Sequence, residues 1–186
     1  MATFQRKDWE ERAWARYERQ KSKDPASEPK ARERLDRDLN AVSGLNAIVG
    51  WINHRGIKVE FTNGQAGGIY STSEKTIYIN STQTYEHQLF VLLHESGHLL
   101  IGLTDPSKPH RFRLGYPSSH DPALKGKFIH RCAILEEEFE AWHRGHKLAK
   151  KLGIDIDEHR WSELKSQFIK SYIKWSLRHE DFESTP

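Results

Sequence analysis

The chain has 186 residues, enough for one sizeable core, and its 29 Lys and Arg stand against 26 Asp and Glu for a formal charge of +3. So small an excess, mixed with acids along the chain, argues against a dedicated nucleic-acid binder, and the single Cys132 excludes an internal disulfide and any zinc knuckle built on cysteines. No apolar run is long enough to cross a bilayer. The amino end reads Lys7-Asp8-Trp9-Glu10-Glu11-Arg12, with neither the basic nor the apolar region of a signal peptide, so a cytoplasmic location, or entry into a particle by assembly, is expected without secretion.

Asp8 to Lys21 and Lys30 to Trp51 read as helices, split by Ser22-Lys23-Asp24-Pro25-Ala26-Ser27-Glu28-Pro29. Residues 1–29 are expected as a charged helix and linker ahead of a single domain over 30–186. Trp9, Trp14 and Tyr17 on that helix either pack against the body or serve a protein partner. Ile57 to Phe61 alternates as a strand, Thr62-Asn63-Gly64 gives a turn, Ala66 to Ser71 reads as a short strand with glycines, and Lys75 to Asn80 alternates again. These segments predict a small antiparallel sheet packed on the helix that follows. Its edge could take an extended peptide by strand addition, or the sheet could be a covering layer only.

Tyr85 to Leu103 reads as one helix, with an apolar stripe through Leu89, Leu92, Leu93, Leu99 and Leu100 and a stop at Gly102. A linker rich in Gly, Pro, Ser and His leads to a second long helix, Arg131 to Leu152. Its inward face is read from Ile134, Leu135, Phe139, Ala141, Trp142, Leu148 and Leu152. A last helix from Asp157 toward Arg178 carries Trp161, Leu164, Phe168, Ile169, Tyr172 and Trp175, a stripe that closes the core or forms an interface. The fold class is therefore α+β and mainly helical.

The first of these long helices contains His94-Glu95-Ser96-Gly97-His98. Positions four apart lie one above the other on a helix, so His94 and His98 can offer nitrogens to one metal ion while Glu95 reaches a water bound to it. A zinc-activated water normally needs three protein ligands. Asp105 falls one residue late for the metzincin spacing and is better read as a turn residue. On the second helix, Glu138 stacks with Ile134, Leu135, Ala141 and Trp142, which directs a carboxylate inward, where it is costly unless paired or bound to a metal. Glu137, beside that face, is a credible substitute, whereas Glu136 and Glu140 point toward solvent.

With these residues in view, the chain resembles the gluzincins, and among them the ImmA/IrrE-like metallopeptidases often encoded by bacteria, prophages and phages. The resemblance runs from about Ile57 to Gly153. It implies a small zinc domain in which His94, His98 and Glu138 are ligands and Glu95 is the base, Glu138 by its place two residues before Glu140-Ala141. Trp142 departs from the small polar residue common there. The implied activity is zinc-dependent hydrolysis of a peptide bond in a specific protein substrate. Tyr116, His120, His130 and His143 are candidates for the second donor that a tetrahedral oxyanion needs, with Tyr116 and His120 in the linker between the two zinc helices. Two rival readings come from other classes. One is a phage structural, assembly or regulatory protein whose metal site does no turnover. The other is a nucleic-acid binder with structural zinc, for which Lys21-Lys23, Lys125-Lys127, Lys147-Lys150-Lys151 and Lys165-Lys170-Lys174 would have to form a patch.

Overall fold

The computed structural model describes residues 6–63, 68–71, 73–102, 112, 114–116, 121–124 and 127–177. In chain order they form α1 (Arg6–Lys23), a single 3-10 turn (Pro25–Ser27), α2 (Glu28–Asn53), β1 (Lys58–Thr62), β2 (Gly68–Ser71), β3 (Thr76–Asn80), α3 (Tyr85–Gly102), α4 (Phe128–Lys151) and α5 (Glu158–Leu177). This is the expected mainly helical α+β class. No helix among the described residues is long and apolar enough to cross a membrane. The chain divides into two compact units, one of Met1–Leu93 with Ala149–Asp155 and one of His94–Leu148 with Ile156–Pro186.

In the first unit, Asp24 breaks the chain between α1 and α2. Its Oδ1 accepts from the Ala26 N–H at 3.2 Å, and Pro25 opens the following turn, where its missing donor costs nothing. α2 buries Leu35, Val42, Leu45, Ile48, Val49 and Ile52, the three- and four-residue spacing of an apolar stripe. α1 buries Ala13 and Tyr17, and the Trp9 ring stacks on Tyr85 at 5.3 Å and meets Phe61 edge-on at 4.8 Å. Of its three aromatic residues, Trp14 is the one left open, at 42% exposure.

The sheet corrects the expectation of an antiparallel layer. Its order is β1-β3-β2, with β2 antiparallel to β3 but β1 parallel to it, Lys58 facing Thr76. The physical reason lies in β3. Thr76, Ile77, Ile79 and Asn80 are all buried, whereas β1 and β2 hold no fully buried residue, so the strand covered on both faces takes the centre. β2 hairpins onto one edge of β3 through a turn in which Lys75 adopts φ 49°, which leaves the other edge to β1. Beyond β3, Asn80 Oδ1 accepts from the Thr82 N–H, and the Gln88 amide donates to the Ser81 and Gln83 carbonyls. Thr84 Oγ1 caps α3 by accepting from the His87 N–H, so the start of that helix is fixed in phase.

In the second unit, Trp142 is fully buried and meets Trp161 and Phe168 edge-on, with centroids 4.9 and 5.5 Å away. Phe139, expected on the inward face of α4, is 44% exposed. That face runs through Ile134, Glu138, Ala141, Trp142 and Leu148, and one residue past Glu138 the helix has turned about 100° away from it. Cys132 is half-buried on the same helix.

Candidate metal centre

His94, Glu95 and Glu138 are buried and His98 is half-buried, all within the second unit. The ligand atoms of His94, His98 and Glu138 lie within 4.8 Å of one another. Glu138 Oε2 is 3.2 Å from His94 Nε2, and Glu138 Oε1 is 3.3 Å from His98 Nε2. The sequence cause of this convergence is Gly97. A Cβ built there would stand 2.0 Å from the Ala141 carbonyl oxygen, so only glycine lets the backbones of α3 and α4 come this close. Arg144 ties the same helices further along, donating to the Leu100 carbonyl at 2.8 Å and to Glu140 at 2.9 Å. Trp142 stacks on the His94 ring at 4.5 Å and holds its plane.

The electrostatics of the cluster are those of a cation site. Burial pushes the Glu138 carboxyl up, but its contacts to His94 and His98 outweigh burial and hold it well below the usual carboxylate range. Burial pushes His98 down, yet Glu137 and Glu138 outweigh it and the imidazole is pushed up to about 10. Glu95 adds to the rise of His98 and also raises Tyr172, which puts its charge within reach of both. Glu138 Oε2 and His94 Nδ1 are buried without a hydrogen-bond partner, although that oxygen stands beside an imidazole. A carboxylate set between two imidazoles, with one of its oxygens orphaned, is an acceptor set for a cation. Two imidazole nitrogens and one carboxylate oxygen are the donor set zinc takes, so these residues fit that ion.

Of Glu138 and Glu137, Glu138 is the one whose carboxylate faces Nε2 of both histidines. Glu137 is also buried, but it faces the opposite nitrogen of the ring, with Oε1 3.8 Å from His98 Nδ1, and its Oε2 accepts from the Tyr116 N–H at 3.3 Å. A carboxylate behind a histidine orients the ring and leaves Nε2 free to ligate. Tyr116 comes to the site on the turn held by Glu137, and its hydroxyl donates to Glu138 Oε1 at 2.6 Å. The Tyr116 and Tyr172 hydroxyls lie 3.0 Å apart, so the two phenols and the Glu138 carboxylate form one hydrogen-bonded cluster.

Tyr172 is a neighbour of the site that the sequence does not single out, since its spacing places it with the apolar stripe of the last helix. The available signal was its phenol, which needs a partner wherever the ring is buried. Of the other donor candidates, His130 is committed to the Leu114 carbonyl, and His143 lies exposed on α4. His120 and Asp105 lie outside the described residues.

Compared with known proteins, residues 52–117 match the IrrE N-terminal-like domain of the Peptidase M78 family. The match supports the ImmA/IrrE-like metallopeptidase family suggested by the His94 and His98 motif. It covers α3 and reaches Tyr116, and it ends before α4, so Glu138 rests on the geometry above. No curated protein and no solved structure matches the chain.

Proposed function

We propose, from the ImmA/IrrE-like metallopeptidase family that residues 52–117 match, that this protein is a zinc-dependent peptidase acting on a specific protein substrate. The observation that carries the reading is the convergence of His94, His98 and Glu138, two ligands from α3 and one from α4. Three protein ligands leave the fourth position of a tetrahedral site open. When bound, zinc supplies a lowered pKa to water and polarises the carbonyl under attack.

Glu95 does the proton work. It follows His94 on the helix, is 7% exposed and acts electrostatically on both His98 and Tyr172. In this role it accepts a proton from the attacking water and delivers it to the leaving amine nitrogen, so one carboxylate serves both halves of the hydrolysis. Tyr116, one of the four candidates from the sequence for the oxyanion donor, acts through Glu138 as a positioning residue in this arrangement, because its proton is engaged there. His120 is the remaining candidate donor for the oxyanion.

The test is Glu95→Gln beside the unaltered chain, both loaded with zinc and incubated with a proteome-derived peptide library read by mass spectrometry. The variant is expected to keep its zinc and to lose cleavage by about 10²- to 10⁴-fold, the usual share of a general base. Zinc bound equally by both, with no cleavage that distinguishes them, would instead mark a metal site without turnover.

A further inference from the structure

The two tyrosines beside Glu138 also form one wall of a cavity of about 230 Å³. Its other walls are Ile134 on α4 and Ser171 and Trp175 on α5. None of these five side chains is a carboxylate, an ammonium or a guanidinium, and the hydroxyls among them are already committed. Tyr116 donates to Glu138, Tyr172 pairs with Tyr116, and Ser171 donates to the Phe168 carbonyl at 2.7 Å. Among the described residues, an anionic guest would therefore give up water without meeting a counter-charge or a free hydroxyl proton, which is costly. An apolar guest gives up nothing and gains its burial. Trp175 and Tyr172 meet edge to face with centroids 6.5 Å apart, and 38% of Trp175 remains exposed, surface that a further ring can cover. The volume falls below the roughly 300–1,000 Å³ of a pocket for a drug-sized ligand, and suits one bulky side chain.

We propose, resting on the peptidase reading, that this cavity is the substrate subsite beside the scissile bond, and that it selects a large apolar or aromatic residue. Its position makes the selection local to the chemistry. A side chain seated there touches Tyr116 and Tyr172, and Tyr116 is bonded to the carboxylate that completes the metal set. Cleavage beside a bulky apolar residue follows, and cleavage beside an acidic one is disfavoured.

Three hydroxamates test this on the zinc-loaded full chain by calorimetric titration. Acetohydroxamate carries the metal-binding group alone, 3-phenylpropanohydroxamate adds an aromatic ring, and the monohydroxamate of succinate adds a carboxylate. The phenyl compound is expected to bind on the order of tenfold or more tighter than acetohydroxamate, from burial of the ring, and the carboxylate compound no tighter. In Ser171→Phe, which fills the cavity, and in Trp175→Ala, which removes a wall, that ratio collapses toward one. Zinc content and far-UV circular dichroism on the same samples report whether each variant is folded. Equal affinity of the phenyl and acetyl compounds in the unaltered chain overturns the subsite, as does a ratio preserved in folded Ser171→Phe. A zinc-loaded chain that binds none of the three overturns the peptidase reading itself, and the subsite with it.

Discussion

Gly97→Ala adds one methyl group where α3 meets α4. The new Cβ would stand 2.0, 2.6 and 2.8 Å from the oxygen, carbonyl carbon and Cα of Ala141, and because all three are backbone atoms no rotamer change relieves the clash. The closest contact has to lengthen from 2.0 Å to about 3.4 Å, an opening of more than an ångström between the helix of His94 and His98 and the helix of Glu138. Zinc sites tolerate deviations of about 0.2 Å from ligand distances near 2.0–2.2 Å. The variant is therefore expected to bind zinc about 100-fold more weakly, at the upper end of the effect of changes around a metal site. Its stability moves much less. Overpacking costs about 1–3 kcal/mol and the better helix propensity of alanine returns about 1 kcal/mol, for a net loss of about 0–2 kcal/mol. At about 2–4 °C per kcal/mol, the Tm of the metal-free chain falls by at most about 8 °C. The assay pairs zinc competition against a chromophoric chelator with thermal melts of the metal-free protein. Gly50→Ala is the control, because a Cβ at that exposed position of α2 meets nothing within 4 Å. It is expected to gain about 0.5–1 kcal/mol in stability with no change in zinc affinity. A folded Gly97→Ala that binds zinc as tightly as the unaltered chain would show that the contact at Gly97 does not set the metal geometry.

Glu137→Ala is expected to weaken zinc binding by about 10- to 100-fold while leaving the ligand number intact, since it removes the carboxylate behind His98 Nδ1. The visible spectrum of the cobalt-substituted protein reads ligand number, and a change of coordination there would make Glu137 a ligand instead. Tyr116→Phe strips the donor from a carboxylate oxygen of the fully buried Glu138, a loss of about 1–3 kcal/mol in the metal-free chain by urea unfolding. Unchanged stability would contradict that bond. His98 in the metal-free chain is held up to about 10 against an ordinary value of 6.5, so its contribution to stability is complete below 6.5 and is lost as pH rises through about 10. The Glu138 contribution has the opposite sense, present above its ordinary value of 4.5 and lost only as pH falls well below it. Urea midpoints measured in chelator should therefore decline between pH 6.5 and 10, while zinc affinity rises over the same window because the ion displaces the His98 proton. A flat profile in both would remove the His98–Glu138 contact from the account.

The five helices were legible in the sequence because the apolar spacing of Leu35, Val42 and Leu45, of Leu89, Leu92 and Leu93, or of Trp161, Leu164 and Phe168 is set by one period, 3.6 residues. Strand pairing has no such local signature. Thr62-Asn63-Gly64 reads as a turn, yet the partner of β1 is decided by which strand is covered on both faces, a property of the packed unit. The burial of Glu138 was readable from helix phase, since its neighbours three and four positions away are apolar. The distinct tasks of Glu137 and Tyr172 were not. Each depends on the 114–116 turn that carries Tyr116, and that turn is fixed by bonds spanning 21 and 22 residues, beyond any periodicity. Phe139 shows the limit in the other direction, because its hydrophobicity predicted burial that its angular position on α4 does not give.

The central claim is that His94, His98 and Glu138 hold one zinc ion, and the most direct measurement is elemental metal content of protein purified without added metal. His94→Ala and Glu138→Ala are prepared in parallel, with circular dichroism to show that each is folded. Close to one zinc per chain is expected in the unaltered protein, with its loss in both variants. Zinc retained in folded Glu138→Ala, or no metal in the unaltered chain even after reconstitution with zinc, would contradict it.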